Sequence, residues 1–84
     1  MNDNPLIQNL NSIHTTTMGV ARIKRNLSLG DCDVVDWCKN QVLQSKEIIR
    51  KGKNWYITTN NAIITINAGS YTIITAHPTK LKEQ

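Results

Sequence analysis

The side chains in this chain that could move a proton or hold an anion are few. They are two histidines, His14 and His77, and a scatter of hydroxyls, lysines and arginines. If the segment from Tyr71 to His77 is a strand, Tyr71, Ile73, Thr75 and His77 share one face, and Thr72, Ile74 and Ala76 share the other. A hydroxyl beside an imidazole suits phosphodiester chemistry, because the hydroxyl holds a non-bridging oxygen while the imidazole moves a proton. The plainer reading makes Thr75 an ordinary strand residue and His77 a solvated strand end, and for a lone sequence it is the commoner case.

His14 falls between two helical stretches, where an imidazole either caps backbone carbonyls or works with the basic helix that follows. On that helix Arg22 and Arg25 adjoin on one face, with Lys24 to one side, so a phosphate can be gripped there. A solvated helix face is the plainer reading of the same residues. Lys51, Lys53 and Lys80 extend a basic rim that steers a ligand without giving specificity. Trp55 and Tyr56 alternate across one strand, so an exposed Trp55 would stack on a base, although core packing is the commoner role. Trp37 is assigned to the core.

Other chemistries lack their signatures. There is no Walker loop, dinucleotide fingerprint, zinc spacing, His-Glu-x-x-His or Gly-x-Ser-x-Gly. The six Asp and Glu are scattered, which argues against a carboxylate-bound two-metal site. No metal or other cofactor is expected. The net charge of +4 and pI near 9.3 favour an anionic partner without naming one. Cys32 and Cys38 lie six apart, which is not a metal or redox spacing, and two thiols without a secretory signal point to a reducing cytoplasm. No apolar run approaches membrane-spanning length.

The elements that must position these groups follow from periodicity. Leu6, Ile7, Leu10 and Ile13 form the stripe of a short helix over 5–13, with Asn4 as its cap and Pro5 at its first position. Thr16 or Thr17 caps a second helix reaching Leu27, with Val20, Ile23 and Leu27 inward and Arg22, Arg25 and Asn26 outward. Gly19 in its first turn either weakens the helix or lets something approach closely. Asp31 and Asp33 open a third helix over 33–44, with Val34, Val35, Cys38 and Val42 inward and Trp37 and Leu43 widening that face. Residues 45–53, rich in Lys and Arg, read as a loop or turn anchored by Ile48 and Ile49. From Asn54 to His77, runs of Ile, Thr, Tyr and Trp are broken at Asn60-Asn61 and at Asn67-Ala-Gly-Ser70, which gives a meander. The expected fold is a single α+β domain over 1–84: two or three N-terminal helices packed on a three- to four-stranded antiparallel β-meander. Flexible ends are expected at 1–4 and 79–84.

The succession His14-Thr-Thr, Gly19, Arg22-Ile-Lys-x-Asn-Leu27, then Val34-Val-x-Trp-Cys-Lys, Gly52-Lys-Asn-Trp-Tyr and Tyr71-Thr-Ile-Ile-Thr-Ala-His-Pro78 resembles a small bacterial family of uncharacterised function. The resemblance spans nearly the whole chain. More distantly, an N-terminal His, a helix bearing Arg, a second helix and a meander ending in Ile-Ile-Thr-Ala-His-Pro are similar to the barnase–EndoU–colicin–RelE group of metal-independent RNases. Many of that group are toxins. The likeness implies cleavage of RNA by its own 2′-hydroxyl. His14 or His77 would be base or acid, Arg22 and Lys24 would hold the phosphate, and Thr75 would complete the anion site. His14 and Arg22 stand eight residues apart, whereas the group's better-patterned members keep His and Arg one helical turn apart.

The first expectation is therefore a small metal-independent RNase, a toxin-like effector whose catalytic set is His14, Arg22, Thr75 and His77. Lys24, Arg25, Lys51, Lys53, Tyr71 and Lys80 would bind the nucleic acid. The alternative is a non-catalytic module that binds nucleic acid or a protein partner, such as a mobile-element inhibitor docking on a nucleic-acid enzyme. A homodimer joined through an exposed sheet edge or an apolar patch is a third reading. The RNase requires its side chains to converge on one phosphate; the binding module does not.

Overall fold

The computed structural model describes residues 5–30 and 32–78. Asn4, Asp31, Lys80 and the ends expected to be flexible, 1–4 and 79–84, lie outside the described residues.

The N-terminal apolar stripe does go inward, with Leu6 and Ile13 buried, but it is not one helix. Helix α1 (Pro5–Gln8) makes a single turn, and a 3-10 turn covers Leu10–Ser12. Asn9 Nδ2 donates to the Pro5 carbonyl at 2.8 Å, a side-chain bond of the kind that competes with helix continuation. Helix α2 (Thr17–Leu27) starts on Thr16, whose hydroxyl accepts from the Gly19 N–H at 2.9 Å. Any Cβ at Gly19 would run into the Thr15 hydroxyl, so here glycine permits close approach. Helix α3 (Val34–Leu43) starts on Asp33, whose carboxylate accepts from the Asp36 N–H at 3.1 Å. Val34, Cys38 and Val42 are fully inward, whereas Leu43, expected to widen that face, is 58 % exposed. Gln41 takes the inward place instead.

Four strands follow: β1 (Glu47–Lys51), β2 (Asn54–Thr58), β3 (Ala62–Asn67) and β4 (Ile73–Pro78). They form an antiparallel sheet in the order β1-β2-β3-β4. This is the α+β meander the sequence implied, with the segment read as a loop supplying its first strand. Dense charge hid β1, because an edge strand tolerates and even favours such residues. Gly52, at φ 62°, and Lys53 close β1 onto β2 as a two-residue turn that needs positive φ at its first position. Asn60-Asn61 does mark a reversal, but neither asparagine is left-handed. Thr59 organises that turn instead: its hydroxyl accepts from the N–H groups of Asn61 and Ala62, each at 2.9 Å, and donates to Gln41 Oε1 at 2.8 Å. A buried polar pair thus ties the β2–β3 turn to α3.

Register assigns the faces. Ile48, Ile57, Ile64 and Ala76 form one row across the sheet, and Arg50, Trp55, Ile66 and Ile73 the next. Apart from exposed Arg50, these rows meet Leu6, Ile13, Ile23, Val34, Cys38 and Val42 in a single core. A bulge between Thr65 and Ile66 shifts β4, so Ile73 and Ala76 both face inward and Ile74 is left 40 % exposed. The expected sharing of one face by Ile73, Thr75 and His77 is corrected accordingly. Helix α2 lies along the free edge of β4. Thr15 Oγ1 donates to the Ile73 carbonyl at 3.1 Å and Asn26 Nδ2 to the Ala76 carbonyl at 3.2 Å. Asn26, expected to be outward, is thus an edge-covering residue. No described helix is long and apolar enough to cross a membrane.

Candidate functional site

With the described helices on one face, the other face of the sheet is left open, and register arranges it in three rows. Glu47, Thr58, Ile63 and His77 form the first; Ile49, Tyr56, Thr65 and Thr75 the second; Lys51, Asn54 and Asn67 the third. Thr65 is buried between its neighbours, while Ile49 is 45 % exposed. Ile49, Lys51, Gly52 and Tyr56 line a shallow depression of about 550 Å³. Lys53 stands exposed at the turn beside it. Among the three rows Glu47, at one corner, is the only carboxylate.

Thr75 and His77 share this open face. Their Cα atoms are roughly 7 Å apart by strand geometry, so a hydroxyl and an imidazole flank one phosphate-sized site. Arg22 precedes Asn26 by one helical turn on the same side of α2, the side from which Asn26 reaches the β4 edge. Arg22 and Arg25 are exposed and Lys24 half-buried, so their cations continue along the helix flanking the sheet.

His14 is not part of this group. It forms a parallel bridge with Thr72, its N–H donating to the Tyr71 carbonyl at 3.1 Å and its carbonyl accepting from the Ile73 N–H at 2.7 Å. Its Nε2 lies 3.0 Å from Thr72 Oγ1 and its Nδ1 2.8 Å from the Ser12 carbonyl. Thr72 immediately precedes β4 and His77 is near its far end, so the residues that carry or hold the two imidazoles are separated by roughly 16 Å of extended chain. The expected convergence of His14 with Thr75 and His77 is therefore corrected: no single phosphate is within hydrogen-bonding reach of both rings. The reason is the bridge itself, which fixes His14 beside Thr72, five residues along the chain from His77.

Tyr71 also departs from expectation. It has φ 61°, precedes the strand, and packs half-buried against the core instead of sharing the face of Thr75 and His77. Trp55 is buried, with Arg50 stacked 5.5 Å from its ring centroid, so it offers no base-stacking surface. Tyr56 on the alternate position does. The sequence signalled that choice only as an alternation, and inward Trp55 determines it. The partnership of His14 with Thr72 and Ser70 had no signal, since 58 residues separate His14 from Thr72.

Cys38 is buried in the core, and burial, with Cys32 nearby, pushes its thiol from 9.0 up to about 12. It is a packing residue without nucleophilic character at neutral pH. Among the described residues no three His, Cys, Asp or Glu side chains gather to hold a metal.

No curated protein and no solved structure matches this chain. One sequence family matches 7–77, nearly the whole of the described chain, and its description is "Protein of unknown function (DUF3781)". Spanning both the helices that cover the sheet and the strands that build its open face, that match makes this chain a member of the DUF3781 family.

Proposed function

We propose that the domain is a nucleic-acid-binding module that takes single-stranded RNA across the open face of its sheet without cleaving it. One observation carries this reading: the face left bare by the described helices presents Tyr56, Lys51, Thr75 and His77 together, with one corner carboxylate. A flat strand surface with an outward aromatic ring and cations suits unstacked bases, which lie on the ring while the charges follow the phosphates. Tyr56 is the stacking platform and the depression beside it, floored by Ile49, accommodates one base. Lys51 and Lys53 meet the backbone at one side; Thr75, His77 and Arg22 meet it at the other. Lys24 and Arg25 add steering charge.

Binding is preferred to cleavage on chemical grounds. Transesterification of RNA needs one group to take a proton and another to give one at the same phosphate. The open face has a single imidazole, His77, and His14 is a strand-length away.

The test is fluorescence anisotropy of a labelled single-stranded RNA in EDTA, at low and at moderate salt. Binding should weaken with salt, lose about 1–3 kcal/mol in Tyr56→Ala, and show a shallower salt slope in Lys51→Ala. The RNA should remain intact. Absence of binding at low salt, or binding indifferent to both substitutions, would leave a protein partner as the better account. Cleavage that disappears in His77→Ala would reinstate the RNase.

A further inference from the structure

At the other end of β4, away from the proposed RNA face, five residues form a directed hydrogen-bond chain. The Ser12 carbonyl has no proton to give, so His14 Nδ1–H is the donor across their 2.8 Å contact. The neutral ring then has only Nε2 as an acceptor, and Thr72 Oγ–H donates to it at 3.0 Å. With that proton committed, Thr72 Oγ1 accepts from Ser70 Oγ–H across their 2.7 Å contact, and Ser70 divides its single proton between Thr72 Oγ1 and Asn67 Oδ1 at 3.2 Å. Ser70 is itself held by Asn67, whose Oδ1 accepts from the N–H groups of Gly69 and Ser70, each at 2.9 Å. Tyr71, between the two hydroxyl residues, is held at φ 61°, a conformation unfavourable for a side chain of its size.

This is the arrangement that nucleophilic catalysis requires: a hydroxyl on an imidazole, and the imidazole oriented through its other nitrogen by a fixed acceptor. The backbone of His14 is fixed on both sides by the bridge to β4. His14 and Ser70 are exposed and Thr72 half-buried, so a substrate can reach the hydroxyl. The chain contains no charged group, which suits a neutral acyl carbon and disfavours a phosphoryl group, whose developing charge needs cations at the site.

We propose that Thr72 is a nucleophile activated by His14 for acyl transfer from activated esters. Thr72 Oγ forms a bond to the acyl carbon and the bond from that carbon to the leaving oxygen breaks. The hydroxyl proton passes to His14 Nε2 and from there to the leaving oxygen or to solvent. The imidazolium is stabilised through Nδ1–H by the Ser12 carbonyl. Water then attacks the acyl carbon as His14 Nε2 accepts its proton, the bond from that carbon to Thr72 Oγ breaks, the carboxylic acid leaves, and the proton returns from His14 to Thr72 Oγ.

The test uses the full chain with p-nitrophenyl acetate, followed by peptide mass mapping before and after hydroxylamine. Hydroxylamine removes an acetyl group held as an ester on Thr72 and leaves lysine amides intact. The wild-type protein should acquire a hydroxylamine-labile acetyl group at Thr72. It should persist at position 72 in Thr72→Ser, vanish in Thr72→Val, and form about a hundredfold more slowly in His14→Gln. A wild-type protein without a labile acetyl group at Thr72 overturns the proposal whether or not any variant folds. So does a folded His14→Gln protein that acylates as fast as wild type, which would leave the chain as a latch between the N-terminal segment and the β3–β4 turn.

Discussion

The two faces of this sheet are made from the same strands, often from adjacent residues, yet they follow different rules. On the covered face Ile57, Ile64, Ile66 and Ala76 are wholly excluded from solvent and mesh with all three helices' apolar stripes. On the open face the alternating neighbours are Tyr56, Thr65, Thr75 and His77, a surface of hydroxyls, rings and a few cations. Burial on the first face is non-directional, so it depends on volume and shape. Any function of the second depends on which polar groups stand side by side, and that is a matter of register. One displaced residue would exchange the two sets. The bulge at Thr65/Ile66 shows how close this fold comes to such an exchange, since it resets the parity of β4 within the strand.

The sharpest way to test the contrast is to remove volume from the covered face. Ile64→Ala should destabilise the domain by about 2–5 kcal/mol in urea unfolding, through lost transfer energy and a cavity between sheet and helices. A loss below that of an exposed-face substitution such as Thr75→Ala would contradict the assignment of faces. A smaller effect belongs to the polar pin at the edge of that core. Gln41→Ala removes the acceptor for Thr59 Oγ1 and Asn61 Nδ2 and should cost about 1–3 kcal/mol, with faster hydrogen exchange at the β2–β3 turn. An unchanged turn would show that Thr59 organises it without α3.

On the open face the expected effect moves from stability to binding. Tyr56→Ala should weaken RNA without approaching the stability loss of Ile64→Ala, and a variant that unfolds instead would mean that Tyr56 is a packing residue. The smallest effect is a pH dependence within the core. The raised Cys38 thiol keeps a proton that the unfolded chain releases above 9.0, so its contribution is intact below that pH and declines toward about 12. The stability of wild type relative to Cys38→Val should therefore fall between about pH 9 and about pH 12. A constant difference would indicate that the thiol is solvated. Exposed Cys32 should meanwhile react with a thiol reagent in the native protein while Cys38 stays protected.

Much of the architecture was legible because it rests on local rules. Thr16 and Asp33 are helix caps by their side-chain chemistry, Ile23, Cys38 and Val42 fall at helical spacing, and the Ile-Thr runs alternate as strands do. Legibility failed where a residue's role depends on a partner far away in sequence. β1 carries too much charge to be recognised without β2 beside it. Asn26 looks solvent-facing until β4 offers a carbonyl, and Gln41 looks polar and outward until Thr59 meets it. The candidate site divides the same way. Thr75 and His77 were paired by strand alternation two residues apart, which a bulge upstream of both leaves intact. Tyr71 and Ile73 were assigned by the same alternation, and the bulge between them and Thr75 broke it.

By itself, then, the sequence determined the α+β class, two of the helix starts, the meander and membership of one family, since periodicity and capping act over a few residues. Only the tertiary structure decided that His14 belongs with Thr72 and Ser70 and that the pair Thr75 and His77 shares its face with Tyr56 and Lys51. The physical reason is that strand register and a single inserted residue fix which side chains become neighbours, and both are set by packing between segments tens of residues apart.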